Sequence, residues 1–142
     1  MIYRYCELFD SGDFDQFAAQ FEHGRMGGRE TGSASLRQWI DDNVILYDGS
    51  PATKHLTTNL VVEVDEQAGT AKARSYVTVL HGADGYPLAV VGSAEYHDEF
   101  ERVDGAWRWA ARDVLNQIDG DTSRHIRSAA SQEVEEPPLG HR

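Results

Sequence analysis

The sequence predicts an α+β domain in which three N-terminal helices pack on a strongly curved, mainly antiparallel sheet that encloses a cavity. Three observations carry that expectation. Apolar residues recur at helical spacing through the first third of the chain. From His55 onward the period shortens to two, in segments rich in β-branched and aromatic residues. Those segments are divided by DEQAG, GADGY and DG, turn signals that suit consecutive antiparallel neighbours.

The first helix follows from Ile2, Tyr5 or Cys6, and Phe9 on one face. SGD interrupts it, and Asp13 stands where an N-cap belongs, with Asp15 in the first turn of a second helix carrying Phe14, Phe17, Ala18 and Phe21. HGRMGGRETGSAS is too rich in Gly and Ser for a regular element beyond one short strand at 25–27. Ser35 can cap a third helix over 36–47, whose stripe is Leu36, Trp39, Ile40 and Val44. DGSP closes it. Four strands then follow over 55–64, 71–81, 87–103 and 106–118. Residues 1–119 read as one domain, and 120–142 as an extension, with a short helix around 123–130 and disorder beyond.

The chain has 142 residues, enough for one real core, with 13 basic against 24 acidic side chains and a formal charge of −11. That balance repels nucleic acid and anionic membrane, so a neutral or weakly polar small molecule is the expected partner. A single cysteine, Cys6, rules out an internal disulfide or a thiolate zinc cluster and fits a reducing compartment. There is no apolar run long enough to span a bilayer and no basic-then-apolar leader, so a cytoplasmic location is expected.

Asp10 is the residue that local structure does not explain. It ends the first helix, where a carboxylate is electrostatically unfavourable. Alternation puts His55 on a strand face with Thr57, Asn59 and Val61, and His81 at the end of the apolar face Ala73, Ser75, Val77 and Val79. Either histidine alone is explained by a strand end that reaches solvent or bonds a carbonyl. Two histidines and an orphan carboxylate converging on one cavity are stronger grounds for chemistry. His97, between acids on the outward face, reads as solvated; Trp107 and Trp109 as packing; Arg108 and Arg112 as salt-bridged to Glu99 or Glu101; Cys6 as a packed helix residue. No ligand spacing supports a metal, and Gly24, Gly27 and Gly28 form no nucleotide fingerprint, so no metal or cofactor is expected.

RYCELFDSGDFDQFAAQF, TKHLTTNLVVEVD, SYVTVLH and EYHDEFERVDGAWRWAARDV resemble the SnoaL-like branch of the nuclear transport factor 2 superfamily across roughly residues 1–114. That group includes scytalone dehydratase, bile-acid dehydratase and polyketide cyclases. The resemblance implies an NTF2-like cone and, matched position by position, a catalytic Asp at Asp10, a strand-opening histidine at His55, a strand-end histidine at His81 and a site tyrosine at Tyr5. It places Phe9 where one member has a second site tyrosine, and Ser93 and Tyr96 near that member's serine and asparagine. Phe9, Phe14, Trp39, Asn59, Val79, Ser93 and Tyr96 are therefore the expected substrate contacts.

These groups suit elimination of water, or a related proton transfer, next to a carbonyl. The expected assignment is His81 with Asp10 as the principal acid/base pair, His55 as second proton carrier, and Tyr5 polarising the carbonyl. A cofactor-independent dehydratase or isomerase acting on a polyketide, steroid or terpenoid is the leading expectation. The alternatives are an epoxide hydrolase or polyketide cyclase in the same fold, and a non-catalytic association module. Outward-facing Tyr76, Val91 and Val114 suggest that a second copy covers the sheet, making a homodimer or a trimer.

Overall fold

The computed structural model describes residues 1–127. Its elements run α1 (Ile2–Ser11), α2 (Phe14–Ala19), β1 (Arg25–Met26), α3 (Ser33–Asn43), β2 (Thr53–Asp65), β3 (Thr70–Ala83), β4 (Tyr86–Val103) and β5 (Ala106–Asp119). The sheet order is β1-β5-β4-β3-β2, antiparallel throughout except for β1, which lies parallel to β5. This is the α+β architecture expected, with the three helices preceding a curved, mixed sheet.

Each junction has a local cause. α1 ends at Gly12, whose φ of 79° is left-handed and lets the Gly12 and Asp13 amides donate to Phe9 O and Leu8 O. A Cβ at Gly12 would stand 2.6 Å from Gly49 O, so the turn needs glycine for space as well as for φ. Asp13 caps α2 as expected, its carboxylate accepting from Gln16 N at 3.3 Å. Asp15, in that first turn, also meets Arg37 of α3 at 2.8 Å.

α3 departs from expectation at both ends. Gly32, not Ser35, occupies its N-cap, and Ser33 turns its hydroxyl to Glu22. The helix stops at Asn43 because Val44 is extended and buried, bridging to Ile126 beyond the sheet. That tertiary pairing outweighs the helical period, which runs on to Tyr47.

The hollow of the sheet is packed with aromatic side chains. Tyr5 and Phe9 of α1 both lie against Phe17, with ring centroids 4.7 and 5.2 Å away. Phe21 stacks on Trp109 at 5.1 Å, and Phe100 lies 4.5 Å from the same indole. Burial of these large rings dominates the favourable side of folding.

Bulges break the simple alternation along the long strands. Asn59 has a φ of 55° at a register shift between Thr58 and Val61, so Leu60, not Asn59, turns towards the core. Another shift, between Glu99 and Phe100, brings Arg112 opposite Asp98 on the inward face. Tyr76 is exposed on the outer face as expected, but Val114 pairs with buried Tyr96 and so belongs to the inward face, where it is exposed past the end of the core, and Val91 is buried.

After β5 the chain makes one turn, with the His125 and Ile126 amides both donating to Thr122 O. Residues 128–142 lie outside the described residues, and with them the end of the expected short helix and the tail.

Candidate functional site

The orphan carboxylate of α1 finds its partners on the opening residues of β2. Asp10 Oδ1 accepts from Thr53 Oγ1 at 2.8 Å and lies 2.6 Å from His55 Nδ1, while Oδ2 accepts from the His55 amide at 2.8 Å. Three such bonds offset the unfavourable position at a helix C-terminus. Burial alone would raise the Asp10 pKa; the His55 imidazole and amide and the Thr53 hydroxyl outweigh it and hold the carboxyl below its ordinary value.

An ionised carboxylate only accepts, so Nδ1 of a neutral His55 must carry the proton and Nε2 the lone pair. The imidazole is held edge-on by Phe9, whose ring centroid is 5.0 Å away, and by Tyr5 at 6.5 Å. Asp10 and His55 open on a groove of about 660 Å³ between α1 and edge strand β2, which Tyr3, Cys6, Lys54 and Leu56 also line. Cys6 Sγ lies 3.4 Å from Thr57 Oγ1, and burial pushes its thiol up, which keeps it from acting as a ready nucleophile.

The expected pairing of Asp10 with His81 is corrected by this geometry. In the β2–β3 ladder it is Thr53 that lies opposite His81, and Asp10 reaches the two residues of β2, Thr53 and His55, whose side chains share the inward face. His81 is buried, 3% exposed, against the Tyr47 ring at 5.2 Å, and its Nε2 has no hydrogen-bond partner. Burial lowers its pKa.

Tyr5 also differs from expectation. Its hydroxyl points to Met26 Sδ at 3.8 Å, and the ring packs 5.9 Å from Tyr96 and under the Arg112 guanidinium at 4.2 Å. Burial raises its pKa against the pull of Arg112. It is a core residue rather than a lining residue of the groove.

Of the expected substrate contacts, Phe9 touches the histidine itself and Phe14 packs behind Phe9 at 5.4 Å. Trp39 is half-buried with Arg29 over its ring at 4.2 Å, and Val79 is partly buried against the core. Ser93 donates to Val77 O at 2.9 Å, which ties strand to strand, and Tyr96 is buried with Arg112 3.8 Å from its ring centroid. Asn59 is exposed on its bulge and faces neither the groove nor the core.

Two features are absent from the sequence reading. Arg112 forms a fully buried, two-pronged pair with Asp98, at 2.7 and 2.8 Å, instead of the surface bridge expected. Burial opposes the Arg112 charge, but Asp98 outweighs it and keeps the guanidinium firmly protonated. Alternation does hold a signal, since Tyr96, Asp98 and Phe100 share the inward face and an inward acid needs a cation. The second is His125, carried by the segment after β5. It is 9% exposed, with its ring centroid 6.1 Å from Phe9 and 6.5 Å from His81. Burial, with His55 and His81 nearby, lowers its pKa to about 4. No sequence pattern points to it.

Two surface expectations agree with the structure: His97 contacts Glu95 at 3.3 Å in the open, and Arg108 bonds Glu101 at 2.8 Å. Among the described residues no helix is long and apolar enough to cross a membrane.

Comparison with known proteins places the fold in a described group. The structure of a variant of Rv3472 from Mycobacterium tuberculosis, described as a protein of unknown function, is 31% identical with a TM-score of 0.63; the match covers 80% of this chain and 65% of that one. The chain therefore spans somewhat under two thirds of that relative. An NTF2-like protein with a cystatin-like fold from Novosphingobium aromaticivorans is 23% identical, TM-score 0.66, over 92% of this chain and 84% of that one. A protein from the same organism, provisionally named a scytalone dehydratase, is 19% identical, TM-score 0.61, over 84% and 82%. These last two show the fold. No curated protein matches the sequence. Residues 1–113 match the model of the SnoaL-like domain, and the chain belongs to that family.

Proposed function

We propose that the protein is a cofactor-independent lyase or isomerase that moves a proton next to a carbonyl of a hydrophobic, oxygenated small molecule. Dehydration of a polyketide-, steroid- or terpenoid-like substrate is the leading case. The observation that carries the reading is the 2.6 Å contact between Asp10 Oδ1 and His55 Nδ1 at the head of an open groove. A neutral imidazole oriented by a carboxylate is matched to removing an activated carbon-bound proton near neutral pH. His55 Nε2 takes the proton from carbon, Asp10 stabilises the resulting imidazolium, and the same nitrogen returns the proton to the departing hydroxyl or to a neighbouring carbon.

The test is proton exchange in deuterated water with a panel of β-hydroxy ketones and phenolic polyketide analogues, scored by mass spectrometry for exchange and water loss. Exchange by the parent that falls at least about tenfold in folded Asp10→Asn and His55→Gln proteins supports the assignment. Exchange that is unchanged in both variants overturns it.

A second reading, a non-catalytic association module, is favoured by the filled hollow of the sheet and by the apolar residues on its outer face. Leu56, Tyr76, Val90, Leu115 and Ile118 are all exposed. We propose a second copy of the chain as their cover, a homodimer being the simplest closed arrangement. Sedimentation of Tyr76→Asp and Leu115→Asp proteins as monomers, against a dimeric parent, is the expected outcome.

A further inference from the structure

His81 Nε2 and His125 Nδ1 are both buried, and neither has a hydrogen-bond partner. Unpaired buried polar atoms are costly, and two of them on rings 6.5 Å apart are hard to assign to chance. With hydrogen bonds of about 2.8 Å to each nitrogen, one oxygen atom can bridge imidazoles at that separation.

His125 is delivered to this place by a built connection. The His125 carbonyl accepts from Ile45 N at 3.0 Å, Tyr47 Oη donates to Arg124 O at 2.7 Å, and Ile126 bridges to Val44. The segment that carries His125 lies past position 113, where the family match ends. Phe9 contacts both parts of the site, with the His55 ring 5.0 Å and the His125 ring 6.1 Å from its own.

We propose that His125, together with His81, forms an oxygen-binding subsite for a neutral hydroxyl or carbonyl group of the ligand whose reacting carbon lies at His55. A neutral imidazole nitrogen is either a bare acceptor or an N–H donor, and a hydroxyl, being both, suits either state of the pair. Burial and the mutual repulsion of nearby imidazoles keep His125 uncharged, so the subsite selects alcohols and ketones over carboxylates. His125 is thus a binding residue for the ligand class proposed above; the claim rests on that reading for the ligand but not on turnover.

The experiment uses the full chain, labelled with ¹⁵N-histidine, and three bicyclic probes: 1-tetralol, tetralin and 1-tetralincarboxylate. Tetralol is expected to move the His81 Nε2 and His125 Nδ1 resonances, and to bind at least about tenfold more tightly than tetralin or the carboxylate. His125→Phe and His81→Phe should each remove that preference, while His125→Gln, which keeps a donor and an acceptor, retains part of it. The parent spectrum needs no variant, so a poorly folded Phe protein does not decide the matter. Equal binding of tetralol and tetralin, failure of tetralol to bind at millimolar concentration, or binding that leaves both nitrogens unmoved would each overturn the proposal. The last two results would mean that the pair holds only an ordered water. Unchanged exchange in Asp10→Asn with an intact tetralol preference would overturn the acid/base reading and leave the subsite standing, whereas lost exchange without any tetralol preference would do the reverse.

Discussion

Asp10 and His55 are 45 residues apart in sequence, and the carboxylate of the one accepts from both the ring nitrogen and the amide of the other. A side-chain contact alone could swing away; the second bond, to backbone, fixes the carboxylate against β2. Replacing Asp10 by Asn keeps the shape but removes the acceptor that selects the Nδ1–H tautomer. Turnover of any substrate found is expected to fall by about 10²–10⁴, with binding little changed, as read by kcat against KM.

The Asp10 pKa is held below its ordinary value of 3.8 in the folded protein. A carboxyl so shifted adds stability above its unfolded pKa, and that stability is lost as pH falls through the folded value. Denaturation midpoints of the parent should therefore drop relative to Asp10→Asn only below about pH 4.

His125 acts in a different window. Its pKa is lowered from 6.5 to about 4, with His55, His81 and Asp10 facing it. The unfolded chain then binds a proton that the folded one refuses, so stability is full above pH 6.5 and falls between there and about 4. The span corresponds to up to about 3 kcal/mol. Urea unfolding followed across that range should show the slope in the parent and a shallower one in His125→Gln, where buried His81 still contributes its share.

Arg112 and Asp98 have side chains 0% exposed, with the guanidinium among the Tyr5, Tyr96 and Trp109 rings. Removing one partner strands the other charge in the core. Arg112→Met or Asp98→Asn should each cost about 3–5 kcal/mol in chemical denaturation, while the double change Asp98→Leu with Arg112→Met should recover a large share.

Gly12 offers a purely conformational test. Alanine there meets a left-handed φ and a carbonyl oxygen at 2.6 Å, and should destabilise by about 1–3 kcal/mol. Thermal unfolding of Gly12→Ala measures it.

What is legible in the sequence follows from which interactions are local. Helix periods, the Asp13 cap and the strand-turn-strand succession are set by neighbours in the chain, and the elements they specify appear, with the two ends of α3 the exception. Asp10 is conspicuous because a carboxylate at a helix C-terminus contradicts local electrostatics. Its partner is not legible. Whether α1 docks beside Thr53 and His55 or beside His81 depends on how the helix crosses the sheet, which no local pattern encodes. Bulges defeat alternation in the same way: one extra residue at Asn59 and another near Ala110 reverse the faces that follow, hiding Asn59's exposure and Arg112's burial. His125 is invisible because a polar, proline-containing extension gives no period by which to place a turn.

The most direct test of the account is the ¹⁵N spectrum of His55 near neutral pH, in the parent and in Asp10→Asn. A single Nδ1–H tautomer is expected in the parent, with a strongly deshielded Nδ1 proton that disappears when Asp10 is changed, while His81 is unaffected. An Nε2–H tautomer for His55, or a response to Asp10→Asn at His81 in its place, would contradict the pairing on which the proposed chemistry stands.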